Sequence, residues 1–293
     1  MTLEDRVAEY LAALRAERGL AAATVTAYGR DLRRYAAHLA GAEPDPDAVA
    51  GFVAALYRRG LAPASIARHV AAVRGFHRFL TAEGLAASDP TVLVDSPRRP
   101  TALPKALTVE EVFRLLEVPD PATPEGRRDR ALLEFLYATG ARVAEAAALD
   151  QLDLDLSEAT ARLTGKGDKQ RVVPVGGAAC RALAAYLPDR LARRRPGRDS
   201  GAVFLNRRGG RLTRQGIWGI VRRQAARAGL DPDAVSPHVL RHSAATHMVE
   251  GGADLRTVQE LLGHASISTT QVYTRVSPRH LLEVYAVSHP RST

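Results

Sequence analysis

The 293-residue sequence predicts a mainly α protein of two domains: a four-helix N-terminal unit and a helical C-terminal unit with a small antiparallel β-sheet. Three observations lead to that fold class. The length suits two domains of ordinary size, at ~150 residues each. Apolar residues recur at helical spacing through most of the chain, and strand-like runs occur only in its second half. A stretch reading DSPRRPTALPK holds Pro97, Pro100 and Pro104 among polar and basic residues, a composition that favours extended backbone with few cross-contacts. The expected domains are therefore residues 1–96 and 108–293, joined by a linker over 97–107.

The N-terminal domain reads as four short amphipathic helices and needs no strand. Leu3, Val7, Tyr10, Leu11 and Leu14 keep helical spacing, with Gly19 as the stop. Val25, Tyr28, Leu32, Tyr35 and Leu39 repeat the pattern until GAEPDPD breaks it with two prolines. Val49–Tyr57 and Ile66–Leu80 give two more helices, separated by Gly60 and Pro63.

The second domain opens with a capping box, Thr108 and Glu111, which starts a helix over Val109–Leu116. Arg130–Tyr137 reads as a buried helix ending near Gly140. Ala159–Leu163 and Arg171–Val175 read as two strands. The segment between them, TGKGDKQ, has the glycines and aspartate of a hairpin turn. Ala202–Leu205 is a candidate third strand. Helices follow at Ala178–Arg194 and Thr213–Ala228. Ser236-Pro237 then caps a helix running to about Glu250, and Asp254 caps another that Gly263 stops. Pro278–Val287 reads as a last short helix with Leu281, Leu282 and Tyr285 on one side.

Composition narrows the class of function. Uncharged, largely apolar stretches such as Ala48–Tyr57 are well short of the roughly 18 residues of a membrane span. The first ten residues carry acids and no apolar run, so no secretory leader is expected. Cys180 is the single cysteine, which excludes an intramolecular disulfide and any multi-cysteine metal site. These features suit a cytoplasmic protein. The net charge is +9; residues 1–100 carry +2 and residues 101–293 carry +7. Such a balance points to a polyanion, most often nucleic acid, although an arginine-rich solvated surface gives the same sum. Only Lys105, Lys166 and Lys169 are lysines, so each surviving lysine draws interest.

The chemistry-bearing residues are weak signals one at a time. His238 and Arg241, three apart in SPHVLRHSAATH, share a helix face. His238 and His242 have metal-ligand spacing, yet no HExxH glutamate or cysteine completes a site, so no metal is expected. A base or phosphate ligand beside an arginine is the better reading of His238. His264 follows a helix end, and Tyr273 stands nine residues later; a lone tyrosine is commonly just half-buried. Arg142 and Glu145 could be an ordinary surface ion pair at i, i+3. Lys166 could be a solvated hairpin tip. The Walker pattern is missing, so nucleotide binding is not expected.

Order and spacing together are specific. ATGxRVxE, GKGxKxRxVP, PHxLRH and LLGH follow one another, and then comes Tyr273. This series resembles the tyrosine recombinase (phage-integrase) family, close to its Xer type as in XerC and XerD, over nearly the whole chain. The resemblance implies an N-terminal core-binding (SAM-like) domain and a catalytic domain closing as a C-shaped clamp on DNA. It implies that Arg142, Lys166, His238, Arg241 and His264 are catalytic, that Tyr273 is the nucleophile, and that Glu145 supports the site. Arg30, Arg33, Arg34, Arg68, Arg74 and Arg78, grouped on two helices, are candidate phosphate contacts, each equally open to being a solvated arginine. One departure is Arg275, where many Xer proteins carry histidine after the Tyr-Thr pair.

The roles agree with the chemistry of a DNA phosphodiester. Two arginines can hold its charged oxygens and the extra charge of a pentacoordinate transition state. Tyrosine, with an ordinary pKa near 10, needs a base, for which His238 is the candidate. The departing 5′-oxygen needs a proton, for which Lys166 is the candidate. The resemblance further implies strand exchange through a 3′-phosphotyrosyl intermediate with no metal, ATP or other cofactor. The implied substrate is a dif-like site in chromosome dimers, acted on by a tetramer of this chain or of this chain with a paralogue. It also implies activation by an FtsK-type translocase, and a C-terminal tail, about 277–293, that docks on a neighbouring subunit or on its own domain. Other readings are a mobile-element integrase, which usually adds an arm-site domain before the core-binding helices, a type IB topoisomerase, and a DNA-binding module that has lost catalysis.

Overall fold

The computed structural model describes residues 2–16, 22–92, 94, 106–165, 168–194, 197, 199–263 and 278–292. The chain divides into two compact units, Met1–Ala102 and Leu103–Thr293. The stop expected at Gly19 and linker residues 97–105 lie outside the described residues.

The first unit holds α1 (Leu3–Ala16), α2 (Ala22–Leu39), α3 (Pro46–Arg58) and α4 (Pro63–Ala82). Their apolar stripes meet in one core around Tyr10, Leu32, Tyr35, Phe52, Ile66 and Phe76. α3 begins before the expected Val49. The Asp45 side chain accepts the Ala48 N–H at 2.7 Å, and Pro46 fills the first turn, where its missing N–H costs nothing. The GAEPDPD stretch thus starts a helix as well as ending one. Asp31 is buried on α2 and accepts both Arg68 Nε (2.7 Å) and Nη2 (3.0 Å) from α4. Beside it, buried His69 meets Arg34 Nη1 at 3.1 Å and the Ser65 carbonyl at 2.8 Å. A carboxylate withdrawn from water needs such partners; Arg68 supplies two bonds, and His69 Nε2 stands 3.2 Å from Asp31 Oδ1.

The second unit is built around α6 (Pro124–Thr139), which is buried along almost its whole length. α5 (Val109–Glu117) precedes it. Its capping box is formed by Glu111 N–H on Thr108 Oγ1 (3.2 Å) and Thr108 N–H on Glu111 Oε2 (2.9 Å). After α6 come α7 (Val143–Ala148), the strands β1 (Leu154–Asp155), β2 (Thr160–Thr164) and β3 (Gln170–Pro174), then α8 (Gly177–Arg193), α9 (Arg214–Arg227), α10 (Pro237–Glu250), α11 (Leu255–Leu262) and α12 (Pro278–Ser288). The sheet is antiparallel in the order β1-β2-β3, with Leu163 opposite Arg171.

Two expectations are corrected. β2 starts at Thr160, because Ala159 takes a left-handed φ of 50° and ends the turn. Ala202–Leu205 forms no strand, only isolated bridges at Ala202 and Leu205. It is fully buried, but its backbone is satisfied piecemeal: Ala202 O by Arg190 Nε (2.9 Å), Val203 N by Leu149 O (3.0 Å), Leu205 N by Tyr186 Oη (3.0 Å). The third strand is the two-residue β1 instead, too short to show a period in sequence.

α12 packs against α10 and α11 of its own unit, with Tyr285 buried and Leu282 on the exposed side. No helix among the described residues is long and apolar enough to cross a membrane.

Candidate active site

The site is assembled where five elements meet: the end of α6, the start of α7, the edge of β3, the start of α10 and the end of α11. Two left-handed glycines shape it. Gly140 caps α6 with a φ of 56°, and a side chain there would meet Leu262. Gly263 caps α11 with a φ of 66°, and a Cβ there would stand 3.0 Å from the Arg171 guanidinium. Both positions demand glycine on backbone and on space.

The turn carbonyls hold two arginines. Arg241, on the buried side of α10, donates through Nη1 to Gly140 O and through Nη2 to Leu262 O at 2.6 Å. Arg142, the residue before α7, donates through Nη2 to Gly263 O at 2.9 Å and through Nη1 to Glu145 Oε1 at 3.0 Å. Each guanidinium has five N–H groups, so these bonds leave donors for a further anion. The side chain of Arg142 is 38% exposed, open enough to meet a ligand.

Glu145 is not half of a surface ion pair. It is 3% exposed and accepts from four donors: Arg142 N (2.8 Å), Arg142 Nη1, Arg171 Nη1 (2.8 Å) and Arg171 Nη2 (2.9 Å). Burial alone would push its carboxyl up, but the hydrogen bonds from Arg171 and from Arg142 hold it below the usual carboxylate range. Arg241 is pushed down to about 10, first by burial and then by the like charges of Arg142 and Arg171, with Glu145 opposing. It remains a cation at neutral pH. The cluster therefore holds three guanidiniums against one carboxylate, a standing excess of positive charge.

His238 lies in the first turn of α10, which Ser236 caps through the Val239 N–H at 3.2 Å. It is exposed, one turn from Arg241, and its ring meets the edge of Trp218 from α9 with centroids 6.4 Å apart. His238, Arg241 and His242 line a groove of about 620 Å³ between α10 and α11, continued by Val258 and Leu262. His247, on the same helix, is structural. Tyr137 Oη meets its Nδ1 at 2.8 Å, and the Leu107 carbonyl meets its Nε2 at 2.8 Å. Among the described residues no group of three metal-ligating side chains converges.

The structure thus brings Arg142, Glu145, His238 and Arg241 to one site. Lys166, His264 and Tyr273 lie outside the described residues. The residues before Lys166 and His264 do reach the site: a Cβ on Gly165 would stand 3.4 Å from Glu145 Oε1, and Gly263 O accepts from Arg142. In the first unit, Arg30, Arg33 and Arg78 are exposed on α2 and α4. Arg34, Arg68 and Arg74 are engaged with His69, Asp31 and the Val94 carbonyl respectively. Arg171 is the residue that sequence reasoning left without a role, although it stands inside the GKGxKxRxVP motif.

Comparison with known proteins gives a consistent picture. Residues 105–280 match the model of the phage integrase family, and residues 7–84 match the phage integrase N-terminal SAM-like domain. The tyrosine recombinase XerD of Mycobacterium tuberculosis is 50% identical over 313 aligned residues, covering 99% of each chain. That of Bifidobacterium longum is 47% identical, covering 97% of this chain and 96% of its own. Among solved structures, the XerH site-specific recombinase bound to its difH substrate, a pre-cleavage complex, aligns with a TM-score of 0.68 at 26% identity, over 83% of this chain and 74% of that one. A λ integrase tetramer on a Holliday junction aligns at 0.69 with 16% identity, over 94% of this chain and 80% of that one, a likeness of fold alone.

Proposed function

Because the chain belongs to the phage integrase family, the tyrosine recombinases, we propose that it resolves chromosome dimers at a dif-like site. It is an enzyme, a site-specific recombinase that cuts and rejoins DNA. The observation that carries the mechanistic reading is the pairing of Arg142 and Arg241 on the adjacent carbonyls of Gly140, Leu262 and Gly263, with His238 one turn away. Two forked cations fixed by backbone are preorganised to hold the two non-bridging oxygens of a phosphodiester.

Tyr273 attacks the phosphorus and gives its proton to His238. The bond to the 5′-oxygen breaks, and Lys166 protonates the leaving group. His264 hydrogen-bonds the phosphate. The products are a 3′-phosphotyrosyl enzyme and a free 5′-hydroxyl. The 5′-hydroxyl of a partner duplex then attacks, restores the phosphodiester and releases Tyr273. Since one phosphate ester replaces another at each step, the bond energy is kept and no ATP is consumed.

Duplex DNA as substrate is supported by the related XerH seen on its difH site. The working assembly is a tetramer, of this chain or of this chain with a paralogue, in the cytoplasm where the chromosome lies, and an FtsK-type translocase activates it. Arg30, Arg33 and Arg78 contribute phosphate contacts from the first unit.

The test is a nicked suicide duplex carrying the organism's chromosome-dimer resolution site, incubated without added metal or ATP and run on a denaturing gel. A covalent protein–DNA adduct is expected from the native chain and none from Tyr273→Phe. An adduct that persists in Tyr273→Phe would show that another residue is the nucleophile. No adduct from the native chain, with or without a paralogue, would refute the cleavage reading.

A further inference from the structure

Glu145 holds Arg142 by two hydrogen bonds, and something must in turn hold Glu145. That residue is Arg171 on β3. Its three outward-facing nitrogens are all engaged: Nη1 on Glu145 Oε1 at 2.8 Å, Nη2 on Glu145 Oε2 at 2.9 Å, and Nε on Leu261 O at 3.0 Å. The flat guanidinium lies against Gly263, where a Cβ would come within 3.0–3.1 Å of three of its atoms. It also approaches Gly165 at the mouth of its own hairpin. One side chain therefore touches three segments. The first, through Glu145, sets Arg142. The second is the α11 end that immediately precedes His264 in sequence. The third is the hairpin that carries Lys166.

We propose that Arg171 is a positioning residue for DNA cleavage, one that locks the hairpin, the Arg142–Glu145 pair and the end of α11 into a single register. The inference rests on the cleavage reading given above. Two physical arguments support it. A buried ion pair is a poor stabiliser, because desolvating both partners offsets most of their attraction. Stability alone gives little reason to collect Arg142, Arg171 and Arg241 around one carboxylate. Charge gives a better one. Arg171 neutralises Glu145, so the charges of Arg142 and Arg241 are left for the phosphate, which gains a second negative charge as it becomes pentacoordinate. Without Arg171, Glu145 would compete with the phosphate for Arg142.

The experiment uses Arg171→Lys and Arg171→Ala in the full chain on the nicked suicide duplex. Adduct formation is followed in single turnover at saturating protein, with DNA affinity and thermal unfolding measured separately. Displacing a reacting group by ~1 Å can cost ~100-fold, so Arg171→Lys should slow adduct formation between about 10-fold and about 100-fold with little change in DNA affinity. Arg171→Lys keeps the charge and is the variant that answers if Arg171→Ala fails to fold. A readout that mere structural damage would not move is the pH profile. The charged groups facing Glu145 are Arg142, Arg171 and Arg241. With the Arg171 fork gone, the Glu145 carboxyl rises and the rate should fall on the acid side, a limb that Glu145→Gln in the same chain removes. Native-like rate and pH profile in Arg171→Lys would overturn the inference while leaving the cleavage reading intact. So would a loss that merely tracks the unfolded fraction. Absence of an adduct from the native chain would overturn both.

Discussion

At the scale of single residues, position explains more than type. Arg142 and Arg241 are both arginines near Glu145, but they are held differently. Arg142 is partly exposed and shares a carboxylate; Arg241 is buried and, among the described residues, donates to backbone carbonyls. Backbone carbonyls at the ends of α6 and α11 are orphan acceptors that a helix terminus must satisfy somehow, and Arg241 satisfies one from each helix. A lysine could carry the charge but not both bonds, since its ammonium is a point donor on a flexible stem. Arg241→Lys should therefore slow adduct formation on the suicide duplex by on the order of 100–1000-fold, the loss seen when one preorganised donor to a developing anion is removed. Gel-shift affinity for the same duplex should change far less, because loss of one cation among several phosphate contacts costs little of a backbone-wide attraction. Equal losses in affinity and rate would mean that Arg241 binds substrate and transition state alike.

Among the structural elements, the C-terminal one is fastened at its far end. After α12, His289 stacks on Tyr285 with centroids 4.7 Å apart, Arg291 reaches buried Glu134, and Ser292 O accepts the Gly177 N–H at 2.9 Å. His289 Nε2 faces Tyr137 O at 3.3 Å and its Nδ1 accepts the Arg291 N–H at 3.1 Å, an arrangement that suits only the neutral ring. Burial, then the charges of His247 and Arg291, push His289 down to about 4, against the Tyr137 carbonyl. An undocked histidine titrates near 6.5. The docked tail gains nothing from protonation above that value, so docking should hold above pH ~6.5 and weaken progressively toward pH 4. Hydrogen exchange over residues 281–292 should rise through that window, and His289→Gln should flatten the response. A tail whose protection ignores pH would show that His289 does not control docking. The same segment illustrates what sequence could tell. The helix was legible from local spacing, as were the caps at Thr108, Ser236, Asp254, Gly140 and Gly263, because those signals lie within a few residues. The partners of Arg171 lie 26 and 90 positions away, and that of Arg68 lies 37 positions away, so neither role could be read from a neighbourhood. The false strand at Ala202–Leu205 failed for the same reason: its apolar run reports burial, and only distant groups decide what its backbone bonds to.

For the molecule as a whole, the question is which charges are available to DNA. The excess of +9 is a sum that does not separate arginines bound within the protein from those facing solvent. In the first unit the structure separates them. Arg68 is spent on Asp31, with the carboxylate buried behind it, whereas Arg30, Arg33 and Arg78 are exposed. The two groups should respond to mutation in different observables. Replacing Arg30, Arg33 or Arg78 by alanine should weaken duplex binding for any sequence, and should reduce the slope of log affinity against log salt by ~0.9 for each lost phosphate contact. Thermal stability should hardly move, since an exposed cation contributes little to it. Arg68→Ala should do the reverse. It leaves a buried carboxylate with fewer partners, at a cost of about 1–3 kcal/mol, read as a lower Tm of the first unit. Its salt slope should match that of the native chain. If Arg68→Ala instead flattened the salt dependence at unchanged Tm, the Asp31 pair would have to open when DNA binds. If none of the three exposed arginines altered the slope, the phosphate contacts of this unit would lie elsewhere on its surface.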